Sequence, residues 1–334
     1  MNTKPRIELI DDADMIPENT VDFNKRLIGQ PEVAMKLMFF VESHSKETPI
    51  PTMLFSGSQG LGKTFTSHMV AEALGRKMIE INCGGLSDRE QLFDDILLTQ
   101  VHGDVPVTLL FDEAHKMPRE VATELLTMTN PNDDFCNVVD YKNCDIVFDM
   151  KKINIILATT DANMLLRPLV NRCEEIYFNL YSHSDLQEIL EMYLGDCSIK
   201  ASKSTMTNIG YACRGRARTA FLLAQNIKRF CHREYMKTLD VKSKTLKDEG
   251  WQALSKIFGI HPLGLNNKEI KLLKTIKEFN TLSCSNLAIK LGVTEDNIKD
   301  EWEQRPKELG LIKSTSKGRS LTNEGIKYME KYNI

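Results

Sequence analysis

Apolar residues form two kinds of pattern along the first half of the chain. Short runs rich in β-branched residues alternate with stretches in which apolar residues recur every three or four positions. The runs predict strands buried on both faces, and the stretches predict amphipathic helices. Strands are predicted at residues 53–55, 78–81, 107–111, 153–158 and 176–180, with helices at 64–74 and 119–128. This alternation predicts an α/β fold with a parallel sheet.

The pattern changes near residue 180. Helical periodicity without strands extends from residue 184 to 258 and predicts a small helical domain. A stretch with glycine and proline at 259–264 interrupts it, and three helical patterns at 268–279, 283–291 and 294–309 precede a Lys/Ser/Gly-rich turn and a last helix. The predicted organisation is an N-terminal arm (1–19), an α/β domain (20–180), a helical domain (181–261) and a C-terminal domain (262–334).

Composition excludes several classes of protein. The chain has 334 residues, 42% apolar and 27% charged, which is typical of folded domains and not of disordered or collagen-like chains. Its longest apolar runs are far shorter than the roughly 20 residues that span a bilayer, and its start lacks the order of a secretory signal. We therefore expect a cytoplasmic protein that does not contact the membrane. The eight cysteines contain no C-x-x-C pair, so we expect reduced thiols without a zinc site or a disulfide scaffold.

Charge is distributed unevenly along the chain. Residues 1–180 carry 17 basic and 28 acidic side chains, whereas residues 181–334 carry 26 basic and 18 acidic ones. A basic second half favours contact with a polyanion such as nucleic acid. A solvated basic face accounts for the same numbers, so charge alone decides nothing.

Residues 57–64 match the pattern G-x-x-x-x-G-K-[ST] between a predicted strand and a predicted helix. Gly57, Gly60 and Gly62 allow backbone amides to converge on phosphate oxygens at the N-terminus of the helix. Lys63 is expected to neutralise the β and γ phosphates, and Thr64 to offer its hydroxyl to Mg²⁺. The alternative, a glycine-rich turn with a surface lysine, is disfavoured by the strand and helix on either side.

Two further strand ends carry candidate catalytic residues. Asp112 is expected to hold the Mg²⁺ shell and Glu113 to polarise the attacking water, because phosphoryl transfer depends on positioning and charge neutralisation. Thr160 follows the strand at 153–158, at the sheet edge where α/β proteins bind ligands, and would orient water or sense the γ-phosphate. Asp-Glu pairs and threonines at strand ends are also ordinary structural features, and the role of Thr159 is left open.

Taken together, these motifs resemble the RuvB family of AAA+ ATPases over residues 20 to 332. The Asp-Glu pair lies within Asp-Glu-Ala-His, and the P-loop is preceded by Leu-Ile-Gly-Gln. Near the C-terminus, residues 310–313 and 317–319 are similar to the winged helix of that family. The segments that carry the resemblance are 27–30, 60–64, 112–115, 158–160, 168–172, 180–181, 214–218 and 263–265.

The resemblance implies an AAA+ large ATPase domain (20–180), a helical lid (181–261) and a winged-helix DNA-binding domain (262–334), assembled as a homo-hexamer around double-stranded DNA. It implies ATP with Mg²⁺ between neighbouring subunits and branch migration of Holliday junctions. Arg172 then matches the arginine finger that reaches the neighbouring subunit's nucleotide, and Arg218 matches the second sensor on the lid. The remaining residues that this resemblance assigns to the nucleotide pocket are Leu27, Ile28, Leu61, Phe65 and Tyr181.

The wing and one hairpin are the expected contacts to macromolecules. Arg319 matches a DNA-contacting position of the family, and Lys313 and Lys317 could add phosphate neutralisation. The third helical pattern, 294–309, is acidic, so we expect it to stay out of the major groove. Residues 135–150 predict a hairpin where the family binds the junction-recognition protein RuvA; an ordinary hairpin packed on its own subunit is an equal alternative.

Three functions are compatible with these motifs. The first is an ATP-driven DNA translocase that moves branched DNA, and the second is an AAA+ loader or switch that places another protein on DNA. A non-catalytic DNA-binding regulator is the third, and Glu113 and Arg172 argue against it. Translocation is the function that accounts for the full set of motifs together with a basic wing.

Overall fold

The computed structural model describes residues 21–45, 48–101, 105–195, 198–238 and 245–334. Within these ranges the chain divides into two compact units, with the division between Leu180 and Tyr181. The predicted N-terminal arm, 1–19, lies outside the described residues. No helix in the described part of the chain is long and apolar enough to cross a membrane.

The first unit is built on a five-stranded parallel sheet in the order β2-β3-β6-β1-β7. The central strands are buried along almost their whole length because helices cover both faces. The carboxyl ends of β1 and β6 are level, since Ser56 pairs with Thr159. The sheet strands are β1 (Met53–Ser56), β2 (Lys77–Asn82), β3 (Val107–Asp112), β6 (Ile153–Thr159) and β7 (Glu174–Tyr177).

Helices and one hairpin surround this sheet. Leu109, Phe111 and Leu157 belong to the core on one face, together with side chains of the helix Arg119–Met128. The hairpin strands, β4 and β5, connect through a two-residue turn at Lys142 and Asn143. The helices are α1 (Phe23–Arg26), α2 (Pro31–Glu42), α3 (Lys63–Ala73), α4 (Arg89–Gln91), α5 (Leu98–Gln100), α6 (Arg119–Met128) and α7 (Arg167–Val170), and the hairpin strands are β4 (Cys136–Tyr141) and β5 (Cys144–Asp149).

The second unit begins with the predicted helical domain. Its helices pack through Leu186, Ile189, Leu190 and Ile227, all of which are buried. The sequence did not predict the short parallel pair of strands that joins two of its connections. The elements are α8 (His183–Gly195), β8 (Lys200–Ala201), α9 (Lys203–Ala212), α10 (Ala217–Thr238), β9 (Thr245–Leu246) and α11 (Asp248–Phe258).

The second unit ends with a winged-helix arrangement of helices and a three-stranded sheet in the order β10-β12-β11. The third helical pattern of the sequence, 294–309, is not one helix, because a π-helical turn at Ile298–Trp302 divides it. The elements are α12 (Asn267–Phe279), β10 (Thr281–Leu282), α13 (Cys284–Leu291), α14 (Glu295–Asn297), α15 (Gln304–Glu308), β11 (Ile312–Thr315), β12 (Gly318–Leu321) and α16 (Asn323–Lys331).

Candidate functional site

The loop between β1 and α3 has the backbone of a phosphate cradle. Gly57, Gly60 and Gly62 have φ angles of 138°, 82° and 98°, which only glycine adopts without strain. Gly57 also lies so close to the end of β7 that a Cβ there would be 2.6 Å from the carbonyl oxygen of Phe178. Gly62 is the N-cap of α3 and has no side chain to cap the helix. The first amides of α3 are therefore left for an anion.

Lys63 is folded back over this loop. Its ammonium donates to the carbonyl oxygens of Gly57 at 2.7 Å and Ser58 at 2.9 Å. Burial lowers the pKa of Lys63, while the carboxylates of Asp112 and Glu113 raise it. A buried ammonium near two carboxylates and the end of a helix suits a phosphate that needs neutralising.

Thr64 and Asp112 bring together the oxygen ligands that Mg²⁺ prefers. The Thr64 hydroxyl donates to Asp112 Oδ2 at 3.2 Å, and the other carboxylate oxygen accepts from the Glu113 amide at 2.9 Å. A hydroxyl and a carboxylate beside the P-loop fit a magnesium ion that keeps most of its waters and binds phosphate. The donor set and the uncapped helix therefore fit ATP with Mg²⁺.

Glu113 follows Asp112 in a left-handed conformation, with φ of 54°. Its Oε2 atom lies 3.4 Å from His115 Nε2 and 3.2 Å from Lys116 Nζ. His115 in turn contacts the hydroxyl of Thr159, which is buried at the end of β6. Thr160, the residue predicted as the sensor, is exposed one position beyond the strand. Of the two threonines, Thr159 is the one that the structure joins to the Asp-Glu motif.

The segment before α2 contributes one residue that sequence reasoning missed. Gln30 is buried, and its side chain makes two hydrogen bonds to the backbone of Asn179. Its amide nitrogen donates to the backbone carbonyl at 2.6 Å, and its amide oxygen accepts from the backbone N–H at 3.2 Å. This pair fixes the segment carrying Leu27 and Ile28 to the end of the sheet domain. Leu27 itself is buried in the core, whereas Ile28 is half-buried. Gln30 belongs to the Leu-Ile-Gly-Gln motif, but a single sequence does not distinguish a buried, hydrogen-bonded glutamine from one on the surface.

Other predicted pocket residues of the first unit have different environments. Leu61 is buried within the P-loop, and Phe65 is exposed on α3 beneath the guanidinium of Arg26, 5.8 Å from the centre of its ring. Arg172, at the end of α7, is half-buried and donates to the carbonyl oxygen of Leu126 on α6. Its guanidinium therefore has a partner within its own subunit.

Tyr181 and Arg218 belong to the second unit. The Tyr181 amide donates to the Gly215 carbonyl at 3.0 Å, which joins Tyr181 to the arginine motif at 214–218. Arg218 is exposed in the first turn of α10. The structure thus brings Tyr181 close to the motif that contains Arg218, and their roles toward a nucleotide stay a prediction.

Only two of the three residues predicted to contact DNA are exposed on the wing. Lys313 and Lys317 are exposed on β11 and the following turn. Arg319 instead forms a two-point pair with the buried carboxylate of Glu303, at 2.8 and 3.2 Å, and Lys307 also contacts that carboxylate. Burial would raise the pKa of Glu303, but these hydrogen bonds bring it below its usual value. Arg319 is therefore engaged within its own domain, and its contact with DNA stays a prediction.

The β4–β5 hairpin has one buried and one exposed face. Val139, Tyr141 and Phe148 are buried, and the Tyr141 ring stacks on Phe93 with 4.4 Å between centres. The opposite face presents a cross-strand pair, Val138 and Val147, exposed by 52% and 62%. The hairpin packs on its own subunit through one face, and whether the other face binds a RuvA-like protein stays a prediction.

Comparison with known protein families finds two domains. Residues 53–180 match the family described as ATPase family associated with various cellular activities (AAA), and residues 262–330 match the RuvB C-terminal winged helix domain. The first match contains the P-loop and the Asp-Glu motif. The second contains the wing.

Relatives over nearly the whole chain carry one name. The chain is 28% identical over 312 residues to the Holliday junction branch migration complex subunit RuvB of Ehrlichia canis, covering 91% of this chain and 90% of that protein. It is 27% identical to the subunit of the same name from Thermosipho melanesiensis, covering 90% and 95%. Among solved structures, the Thermotoga maritima RuvB Holliday junction branch migration motor has a TM-score of 0.70 at 23% identity, covering 93% of this chain and 97% of that one.

Proposed function

We propose that this chain, a divergent RuvB-like AAA+ protein, hydrolyses ATP to move double-stranded DNA and so drives the migration of Holliday junctions. The observation that carries the proposal is the presence in one chain of a P-loop that is in contact with the Asp112-Glu113 motif and a winged-helix domain with lysines exposed on its wing. A regulator that bound nucleotide without hydrolysing it would not need Glu113 as a base. Near full-length similarity to RuvB subunits supports the same activity.

The nucleotide site would work by charge neutralisation and positioning. ATP with Mg²⁺ would supply the bond to be broken and the cation that offsets phosphate charge. The amides at the start of α3 and Lys63 would hold the phosphates, and Thr64 with Asp112 would hold the magnesium ion. Glu113 would accept a proton from the attacking water, because its carboxylate lies one residue beyond the magnesium ligand. Thr160, exposed one position beyond β6, would sense the γ-phosphate.

We propose that neighbouring subunits of a homo-hexameric ring complete the site. Arg172 would leave its carbonyl partner on α6 and reach the nucleotide of the adjoining subunit. Arg218 would report the nucleotide, and Tyr181, fixed to the same motif, would contact the adenine. Leu27 and Ile28 are the adenine-contacting residues that we propose for the first unit. An arginine supplied in this way accelerates other NTPases by about 10³ to 10⁵.

DNA would be held by phosphate contacts that do not read sequence. Lys313 and Lys317 are exposed on the wing, while the exposed residues between α14 and α15 are mostly acidic. A wing that grips only the backbone suits a motor that must move along any sequence. Such binding weakens steeply as the salt concentration rises, because counterions are released on binding.

The exposed face of the hairpin would bind a junction-recognition protein like RuvA. Val138 and Val147 face solvent as a pair, although apolar β-branched residues on a two-stranded ribbon gain more from burial. Asp140 and Asp145 lie directly across from each other on the same face. The partner surface would therefore be apolar at its centre and basic at its rim.

The test is the ATPase activity of purified protein with and without a synthetic four-way junction. We expect DNA to stimulate ATP hydrolysis and the branch point to move. Glu113→Gln should keep ATP binding and lose turnover, because the amide cannot accept the proton. Stimulated hydrolysis without branch movement would indicate a loader, and turnover unchanged by Glu113→Gln would contradict the catalytic assignment.

A further inference from the structure

The carboxylate of Glu113 lies at one end of a series of polar contacts that crosses two neighbouring strands. His115 Nε2 is 3.4 Å from Glu113 Oε2, and His115 Nδ1 is 3.1 Å from the hydroxyl of Thr159. The amide of Asp161 donates to the same hydroxyl at 3.0 Å. Glu113 follows β3 and Thr159 ends β6, so the imidazole connects the ends of two adjacent strands.

A carboxylate can only accept, so a proton on the ring nitrogen nearer Glu113 suits that contact. In a neutral ring Nδ1 then accepts from the Thr159 hydroxyl, whose oxygen also accepts from the Asp161 amide. The neutral imidazole then carries its proton on Nε2, the nitrogen nearer the carboxylate. One tautomer therefore suits both ring contacts, and its N–H lies on the nitrogen 3.4 Å from the Glu113 carboxylate.

The contact of Glu113 with His115 is more buried than its contact with Lys116. The side chain of His115 is 13% exposed and Thr159 is 1% exposed, whereas the Lys116 side chain is 54% exposed. A polar contact in a shielded site fixes its partner better than a long side chain in water does. Glu113 also has a left-handed backbone, which a non-glycine residue keeps only where its surroundings hold it.

We propose that His115 is a positioning residue that holds the Glu113 carboxylate in place for activation of water and ties it to Thr159. The proposal rests on the proposed role of Glu113 as the general base. Because His115 acts on the base and not on the phosphates, its loss lowers kcat and leaves ATP affinity unchanged. Thr159 fixes the ring, and Thr160 next to it faces solvent, so the two threonines have separate roles.

Three substitutions at His115 distinguish the roles of its two ring nitrogens. Gln places an amide N–H near the position of Nε2, Asn places one near Nδ1, and Ala removes both. We expect His115→Ala and His115→Asn to lower kcat about ten- to hundredfold, the effect of a lost polar contact to a charged group. His115→Gln should restore much of the activity. His68→Ala is the matched control, because it removes another His–Glu contact of the same domain, 2.7 Å long and half-exposed, and kcat should not change.

Combination with Glu113→Gln distinguishes this proposal from the proposed function. In that background His115→Ala should have no further effect on residual turnover, because residues that act as a unit are not additive. Equal kcat in the Asn and Gln variants, or a His115→Ala enzyme within about twofold of the parent, would overturn the positioning role. If Glu113→Gln itself keeps parental turnover, the catalytic assignment fails. If it loses turnover while His115→Ala does not, only the positioning role fails.

Discussion

At Gly57 both the backbone geometry and the proposed phosphate contact require glycine. Its φ of 138° is strained for any L-residue, and a Cβ would meet the Phe178 carbonyl at 2.6 Å. We expect Gly57→Ala to lower the free energy of unfolding by about 1–3 kcal/mol and to weaken ATP binding, because the loop must move to relieve the contact. Thermal unfolding and nucleotide titration measure the two effects.

Gly85→Ala is the matched control for that substitution. It lies near the same sheet edge, has no left-handed φ, and an added Cβ there would meet no atom within 4 Å. Its stability and ATP affinity should equal those of the parent. If Gly57→Ala binds ATP as tightly as Gly85→Ala does, the cradle does not depend on the backbone of Gly57.

At the scale of single residues, the sequence predicted identities better than contacts. Lys63, Thr64 and Asp112 meet as expected because the P-loop pattern specifies backbone shape as well as residue type. Arg319 could not be placed in the same way. Its partner Glu303 is buried by a turn that no local pattern specifies, so a basic wing residue that looks available for DNA is already paired.

The hairpin is the element whose two faces make separable predictions. Val147 is exposed and Phe148, next to it, is buried against Phe93. We expect Phe148→Ala to lower the free energy of unfolding by about 3–5 kcal/mol and Val147→Asp to change it by less than about 0.5 kcal/mol. Chemical denaturation measures both.

Partner binding should follow the opposite order. Val147→Asp should abolish stimulation of branch migration by an added RuvA protein, while ATP hydrolysis on DNA alone is retained. Asp145→Asn, on the same face, is the matched control, since it keeps the apolar pair and should weaken binding only modestly. Stimulation that survives Val147→Asp would mean that this face is not the docking surface.

Elements that combine periodicity with clear ends were predicted best. Helix α6 has the predicted bounds, Arg119–Met128, because Pro118 precedes it and its apolar face is regular. Strand β7 begins two residues earlier than predicted, since an edge strand can open with the exposed pair Glu174 and Glu175. The pattern at 294–309 failed for another reason. Proline cannot donate in a helix interior, and Pro306 lies in the first turn of the separate helix α15, where a missing N–H is tolerated.

At the scale of the whole molecule, an ion pair joins the helical domain (181–261) to the winged-helix domain. Arg214 donates to both oxygens of Glu269, at 3.0 and 2.6 Å, and its Nε donates to the Gly264 carbonyl at 2.8 Å. Glu269 is fully buried and also caps the start of α12 through the amide of Asn266. These contacts lie within one compact unit and hold the arginine motif at 214–218 to the winged-helix domain.

From this ion pair we predict how the nucleotide state of the ATPase site affects the DNA-binding domain. Glu269→Gln removes the negative charge of the pair, and Arg214→Lys removes its two-point geometry. Both substitutions retain a polar side chain. We expect both to lower the free energy of unfolding, by about 3 kcal/mol for the loss of one partner of a buried pair. Basal ATP hydrolysis should persist, since neither residue belongs to the nucleotide site, but DNA should no longer stimulate it. The matched control is Lys268→Gln, which breaks the exposed pair with Glu301 and should leave the stimulated-to-basal ratio unchanged. A parental ratio in Glu269→Gln would mean that the lid and the DNA-binding domain communicate by another route.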